Sequence, residues 1–543
     1  MVGQFVNNVA PGNFGAPGVY VYNAPTQQVT PTGPALGKLG VIGTGQYGLK
    51  NTPTLCTTPA QVIAAFGPNT TLNNSITRDA CAAMPECNQV VAVRVTDNTD
   101  VPATMMLADN TMASVLTFIA QMTGSLPNGV NNAGVVTNPA TATITLTAGQ
   151  FAASGTVVPL AKIVLSFPNQ QSGVFNNIVA GTASAGYVPA TFKANAIAAI
   201  NVGTSQNQPS QQWTAMAGNS ILPPVLAVAG TTTGLNVASG GIDGATTINS
   251  TVLQGVDGIT GRTGMYALRG AINGGQFIFA GYYMASSADT TPQAAVAFNN
   301  SEGVRCGLSF AQGTQTTTAQ TVKSANSASD PTLDVFIDWI QMIDQWSGLA
   351  TYIAPHAKGM GIISSLDYYQ GPLNQPQGAG AVGVLSTEKY VNGINLVGGG
   401  EYATRTAAGI NFLSKPSGVW ALANPYTSDG KTFVSDARAT WYFGIGFMTV
   451  CAPFLGNGQS AVANDKTRLK VKAAMNSFLT QQINPVQKIS GYSNVCDLSN
   501  NTTQTIAQGF LMDNVAVQTL SNVVIILVNQ QVGVTAQLTV PAQ

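Results

Sequence analysis

Hydrophobic positions along this chain fall into short runs, broken by glycine, proline and asparagine. Near the N-terminus, "NFGAPGVYVYNAPTQQ" (13–28) isolates Val19, Tyr20, Val21 and Tyr22 between loop-formers. That is a strand pattern with nothing beside it in sequence to pair with. From residue 38 the character changes. "KLGVIGTG" opens as a continuous apolar run, the mark of a buried strand. "TPAQVIAAFG" (58–67) predicts a helix, with Thr58 as N-cap, Pro59 at the first helical position and Gly67 past the end. "ITRDACAAM" (76–84) reads as a second helix and "QVVAVRVTD" (89–97) as an alternating strand. Strand, helix, helix, strand is the order of a small α/β unit.

Residues 101–250 differ. They hold four charged side chains, Asp109, Lys162, Lys193 and Asp243. Threonine, alanine, asparagine, glycine and valine dominate, and "TATITLTAG" (141–149) and "KIVLSF" (162–167) alternate as strands. The pattern predicts an inserted all-β domain. Low-complexity disorder is the other reading of such a composition, but low net charge and recurring apolar strands argue against it. The α/β pattern resumes near 251, where "TGMYALRGAI" and "GQFIFAGYYM" (275–284) flank a Gly-Gly turn. "DPTLDVFIDWIQMIDQWSG" (330–348) predicts a helix from Pro331 to Gly348, with Asp334 and Asp338 on its solvent face. "DKTRLKVKAAMNSFLTQQI" (465–483) is the clearest helix of the C-terminal part. "QTIAQGFLMDNVAVQT" and "NVVIILVNQQVGVTAQLTVPAQ" read as strands to the end. The expected organisation is an N-terminal arm at 1–37, the first part of an α/β core at 38–100 and the insertion at 101–250. A middle α/β domain follows at 251–400 and a C-terminal α/β domain with a terminal strand at 401–543. The fold class is multidomain α/β and α+β.

Composition sharpens this picture. With 543 residues the chain has room for about three or four domains. Apolar residues make up 45% and charged ones only 8%, against roughly 25% in typical domains. Twenty-one basic and 21 acidic residues cancel. The balance disfavours nucleic-acid binding, which needs a basic face, and favours association. No signal peptide is expected at Met1, and "VVIILV" (523–528) is far short of the ~20 residues of a membrane helix, so no direct membrane insertion is expected. Six scattered cysteines, with only Cys81 and Cys87 close enough to pair readily, fit reduced thiols better than a disulfide framework.

Candidate chemistry is sparse. Gly43, Gly45 and Gly48 match a dinucleotide-type spacing after a strand, but "LKNTPT" follows where a helix is needed, and the next carboxylate is Asp79. The motif therefore reads as a strand-to-loop turn, and no cofactor is expected. His356 is the single histidine, so nucleophile–histidine–acid chemistry has one candidate base, and a structural role is the better reading. Cys81 and Cys87 with one distant histidine do not make a zinc pattern. No catalytic set is found. The one charge cluster with shape is Lys466, Arg468, Lys470 and Lys472, with Arg468 and Lys472 on one helix face and Lys466 and Lys470 on the next. It reads either as an ordinary solvated face or as a docking face for an acidic partner.

Taken together, these segments resemble the contractile tail sheath proteins of myophages and related injection machines. "APGVYVYNAP" is similar to the family's N-terminal arm, and "KLGVIGTGQYGLKNTPTLCTTPAQVIAAFG" follows where a strand, a Gly-rich loop and a helix are placed in that family. "VVAVRV" (90–95), "GAVGVLSTEKYVNGINLVGGG", "AAGINFLSKPSGVWALANPYTSD" and "NPVQKISGYSNVCDLSNNTTQTIAQGFLMDNVAVQTLSNVVIILV" resemble later family elements in order. The sequence departs from the family where "YNAPT" replaces acidic residues and "VWALAN" replaces "VWGART", and 101–250 has no counterpart. The resemblance implies a non-enzymatic subunit of a helical homopolymer around an inner tail tube, with baseplate and terminator proteins as further partners. It further implies assembly in the bacterial cytoplasm and a place in the virion tail. It implies an α/β core near the tube, an outer β-rich insertion, and strand exchange through Val19–Tyr22 and through Val534, Thr535, Ala536, Gln537, Leu538, Thr539 and Val540. It also places Lys466, Arg468, Lys470 and Lys472 against the tube. A non-contractile assembly protein, of tail-tube or surface-layer type, is the alternative, and a secreted hydrolase is the enzymatic one.

Overall fold

The computed structural model describes residues 4–6, 20–22 and 37–521, except 133–134, 138, 148–157, 169, 183–185, 225–235, 286–288, 374–380, 390–399, 416–417 and 485–486. These residues form two compact units, one drawn from 34–444 and the other from 445–520 with the N-terminal strands.

A seven-stranded sheet organises the first unit. Its strands lie in the order Ile410–Asn411, Leu333–Phe336, Arg305–Ser309, Gln276–Phe279, Lys38–Gly43, Gln89–Arg94 and Thr54–Cys56. Every neighbouring pair is parallel except the last. Parallel neighbours need crossovers, and helices provide them. Pro59–Phe66 and Ile76–Ala83 link Lys38–Gly43 to Gln89–Arg94, while Thr291–Glu302 and Thr316–Ala325 precede Arg305–Ser309 and Leu333–Phe336. The Thr58 hydroxyl caps the first helix by accepting from the Gln61 amide, and Gly67 ends it at φ +84°. Alternate strand residues enter two separate cores. Ile42, Val91, Val93, Phe277 and Phe279 enter one, and Leu39, Val41, Val90, Ala92 and Ile278 the other. Burial on both faces is why these strands read as continuous apolar runs.

Residues 330–348 do not form the expected helix. Leu333–Phe336 is an interior strand of the large sheet. Ile340–Ile343 is the middle strand of a second sheet with Ala350–Ile353 and Val384–Thr387. Two short strands meeting near Asp338, at φ +63°, produce an apolar spacing that imitates a helix. Asp334 and Asp338 are therefore buried, not on a solvent face. Asp334 pairs with Arg305 at 2.6 Å across neighbouring strands, and Asp338 pairs with Arg405. Burial pushes both carboxyls upward, opposed by the arginines.

Within 101–250, Trp213–Ala217, Ser114–Thr123 and Pro102–Ala108 form one sheet, and Gly173–Val179, Leu160–Leu165, Thr141–Thr147 and Asn236–Val237 another. Phe118, Ile144, Ile163, Phe175 and Trp213 share one core. One element departs from the all-β expectation. Pro189–Asn201 is a helix that buries Phe192, Ala196, Ala199 and Ile200. Three of the four charges act internally: Asp109 accepts from the Thr111 and Ala113 amides, Lys193 donates to the Gly218 carbonyl at 2.6 Å, and Asp243 accepts from the Ser125 amide at 2.7 Å.

Candidate assembly site

The second unit is built on the helix Lys466–Gln481. The Asp465 carboxylate caps it, accepting from the Arg468 and Ser460 amides at 2.9 Å each, bonds that hold this carboxyl below the usual range. Its inward face is Val471, Met475, Phe478 and Leu479. The strand Ile489–Val495 pairs antiparallel with Asn514–Thr519, and lies on the helix through Asn494 Nδ2 to Asn476 Oδ1 (2.9 Å) and Tyr492 to Thr480 (3.0 Å between hydroxyls). Buried Asn501 ties the loop between the strands. Its amide nitrogen donates to the Met512 carbonyl at 2.8 Å and its oxygen accepts from the Met512 amide at 2.7 Å.

Among the described residues this sheet has two strands, and both of its outer edges lack a backbone partner. Unpaired edges are templates for another strand. Val495, Met512 and Phe510, the last 58% exposed, leave apolar surface close to them in sequence. Of the expected arm strands, Tyr20–Tyr22 is present and pairs in parallel with Gln4–Val6 of the same chain. A pairing of three residues is marginal by itself. Val19 and residues 534–540 lie outside the described residues.

The basic helix is divided by the structure. Lys466 and Lys470 are exposed and Lys472 is half-buried, but Arg468 is only 1% exposed. Its guanidinium donates to the Ser460 carbonyl at 2.6 Å and to that of Val462, clamping the preceding loop onto the helix. Leu469 is half-exposed, because the buried stripe runs through 468, 471, 475 and 478. Sequence reasoning missed Arg468's role because a loop eight residues upstream supplies its acceptors.

The remaining chemical candidates sit inside the first unit. His356 is fully buried at the start of the helix Pro355–Ser365. Its Nε2 faces the Phe279 carbonyl at 2.9 Å, so Nε2 carries the proton and Nδ1 accepts from the Ser309 hydroxyl. Burial lowers its pKa, which keeps it neutral. Both side chains of the pair are fully buried. Side chains at Gly43, Gly45 and Gly48 would strike Asn74, Phe66 and Ala65, so the glycine loop is filled by protein where a pyrophosphate would have to approach. The six cysteines are free, and among the described residues no group of three or more His, Cys, Asp or Glu side chains could hold a metal. Among those residues no helix is long and apolar enough to cross a membrane.

No family model matches this sequence. No curated protein matches it either. Solved structures do. A sheath tail protein from Desulfitobacterium hafniense superposes with a TM-score of 0.53 at 10% identity, over 89% of this chain and 94% of that one. The sheath tail protein of Listeria innocua gives 0.51 at 11% identity, over 90% and 97%. The likeness runs through nearly the whole of each protein, at an identity where only backbone architecture is retained. The chain has the fold of the sheath tail proteins.

Proposed function

We propose that this chain is the structural subunit of a contractile tail sheath of a bacteriophage, polymerising helically around an inner tail tube and contracting to drive it through a host envelope. The observation that carries the reading is the two-stranded sheet Ile489–Val495/Asn514–Thr519, whose edges are both open among the described residues, in a chain of sheath tail protein fold. Residues 19–22 of one neighbour and 534–540 of another are the strands that fill those edges. Each backbone bond contributes about 1 kcal/mol net, so a donated strand of four or five residues contributes several. The three-residue pairing of Tyr20–Tyr22 within its own chain is weak enough to be supplemented or exchanged. Donation from one face to a different face is heterologous and builds an open helix.

In this reading the cores rotate outward on contraction while the strand links hold, and the added burial between cores supplies the free energy without a nucleotide. Lys466, Lys470 and Lys472 face the tube through screened ion pairs that release readily. Arg468 is no longer part of this set. The ends of the polymer meet baseplate and terminator proteins, and the subunit assembles in the host cytoplasm before residing in the virion tail.

Negative-stain microscopy of the purified full chain tests the reading. Hollow tubes of wide bore are expected; discrete particles at high concentration refute the polymer. A chain lacking residues 1–23 is expected to keep its circular dichroism and melting profile but form no tubes. Normal polymerisation of that truncation refutes strand donation.

A further inference from the structure

The glycine loop after Lys38–Gly43 has no ligand role, yet protein atoms converge on it. Arg94, at the end of the adjacent strand, is fully buried and donates four hydrogen bonds. Nε reaches the Gly45 carbonyl (3.0 Å) and Nη1 the Gly48 carbonyl (2.8 Å), both in the loop. Nη1 also reaches the Thr123 hydroxyl (3.1 Å) and Nη2 the Asp243 carbonyl (2.8 Å), both in the insertion. Between those glycines, Tyr47 leaves the core and is buried among the insertion's own apolar residues. Its ring lies 4.8 Å from Phe167, which packs edge-on against Trp213. The Gln46 carbonyl accepts from the Leu126 amide, and a Cβ at Gly124 would lie 1.9 Å from that same oxygen. The chain enters and leaves the insertion as a pair of segments, with Val101 and Ile242 exchanging backbone bonds and Asp97 accepting from Thr247, and beside them Trp346 of the core packs on the insertion's apolar cluster and Gln170 donates to the Ala64 carbonyl. Two paired segments by themselves would bend as a hinge.

We infer that the loop 43–48, Tyr47 and Arg94 form a clasp that holds residues 101–250 to the α/β core as one rigid body. The glycines serve this clasp. They bring the loop backbone against Phe66 and Ala65 on one side and present carbonyls to Arg94 on the other, positions where side chains do not fit. A guanidinium with acceptors on both sides of the seam cannot let them part without losing bonds in a buried site. The insertion then moves through the same rotation as its core. Within the sheath, a consequence that rests on the reading proposed above, each core rotation swings a rigid arm and not a tethered decoration.

The experiment is double electron–electron resonance on the full chain, spin-labelled at Val202→Cys in the insertion and Ile259→Cys in the core, which are 78% and fully exposed. Cys451→Ser removes the one native thiol that is not buried. Labelled protein is diluted with unlabelled protein, so that distances within a subunit dominate even in a polymer. A single narrow distance distribution is expected, at least twofold broader in Arg94→Met/Tyr47→Ala. Tyr47→Phe, which removes a hydroxyl that has no hydrogen-bond partner, is expected to stay narrow. A broad distribution in the otherwise unaltered chain overturns the clasp, independently of how any variant folds. So does a folded Arg94→Met/Tyr47→Ala chain as narrow as the parent. A rigid chain that forms no tubes leaves the clasp standing and refutes the sheath, so the two failures are distinct.

Discussion

Asp334 is where one substitution should matter most. Its side chain is 0% exposed and that of Arg305, 2.6 Å away, is 2% exposed. Arg305 has one other acceptor, the Pro331 carbonyl at 2.6 Å, and its Nε has none. Arg438 lies close enough that burial and the Arg305 charge push its pKa down to about 9. Asp334→Ala therefore leaves a buried guanidinium without its counter-charge beside another cation. Breaking a buried pair from one side costs about 3–5 kcal/mol, whereas replacing both partners with apolar residues of similar volume is often neutral or stabilising. The unit spanning 34–444 has roughly 400 residues, and at about 2.1 cal/mol/K per residue its unfolding entropy is roughly 0.8 kcal/mol/K. The expected fall in melting temperature is about 4–6 °C for Asp334→Ala. For Arg305→Met/Asp334→Leu it is within about 2 °C of the parent. Scanning calorimetry of the full chain reads both. A fall below about 1 °C for the single variant, or a double variant at least as unstable as the single, refutes the reasoning.

Two further outcomes follow from charge placement. Burial raises the Glu401 carboxyl, but hydrogen bonds from Lys389 and Thr316 and the Arg405 charge outweigh it and hold the pKa to about 2, against 4.5 for a free glutamate. A depressed pKa contributes stability that is full above about 4.5 and lost as pH falls toward 2. The melting-temperature gap between the parent and Glu401→Gln should therefore be widest near neutral pH and close across that window. A gap that is constant with pH contradicts this. Lys466→Glu/Lys470→Glu should melt like the parent but sediment less with tubes, most clearly at low salt, whereas Arg468→Ala should lower the melting temperature. Equal tube binding by the lysine variant refutes their proposed contact.

The fold and the assembly site were unequally legible. Capping chemistry is local, so Thr58, Pro59 and Gly67 bound a helix that the structure reproduces as Pro59–Phe66. The helices at 76 and 466 and the strands at 38 and 89 were likewise readable from short-range pattern alone. The helix Val434–Cys451 was not, because "TWYFGIGF" carries aromatics, an isoleucine and glycines that favour strands or turns, and burial of Tyr442 and Phe443 decides otherwise. Nor was Ile489–Val495, whose "SGYSN" has little apolar alternation and is held as a strand by its partner Asn514–Thr519 and the helix beneath it. Low charge and an isolated arm strand point to association from the sequence alone. Only tertiary structure could say which charges are free. Asp334 and Asp338 look like solvent-face residues in sequence, yet each is buried against an arginine contributed by a segment that chain proximity does not reveal. The capped and strongly patterned elements of this protein follow from neighbours along the chain. The fate of a charge depends on desolvation and on partners brought together through space, and a sequence pattern carries neither.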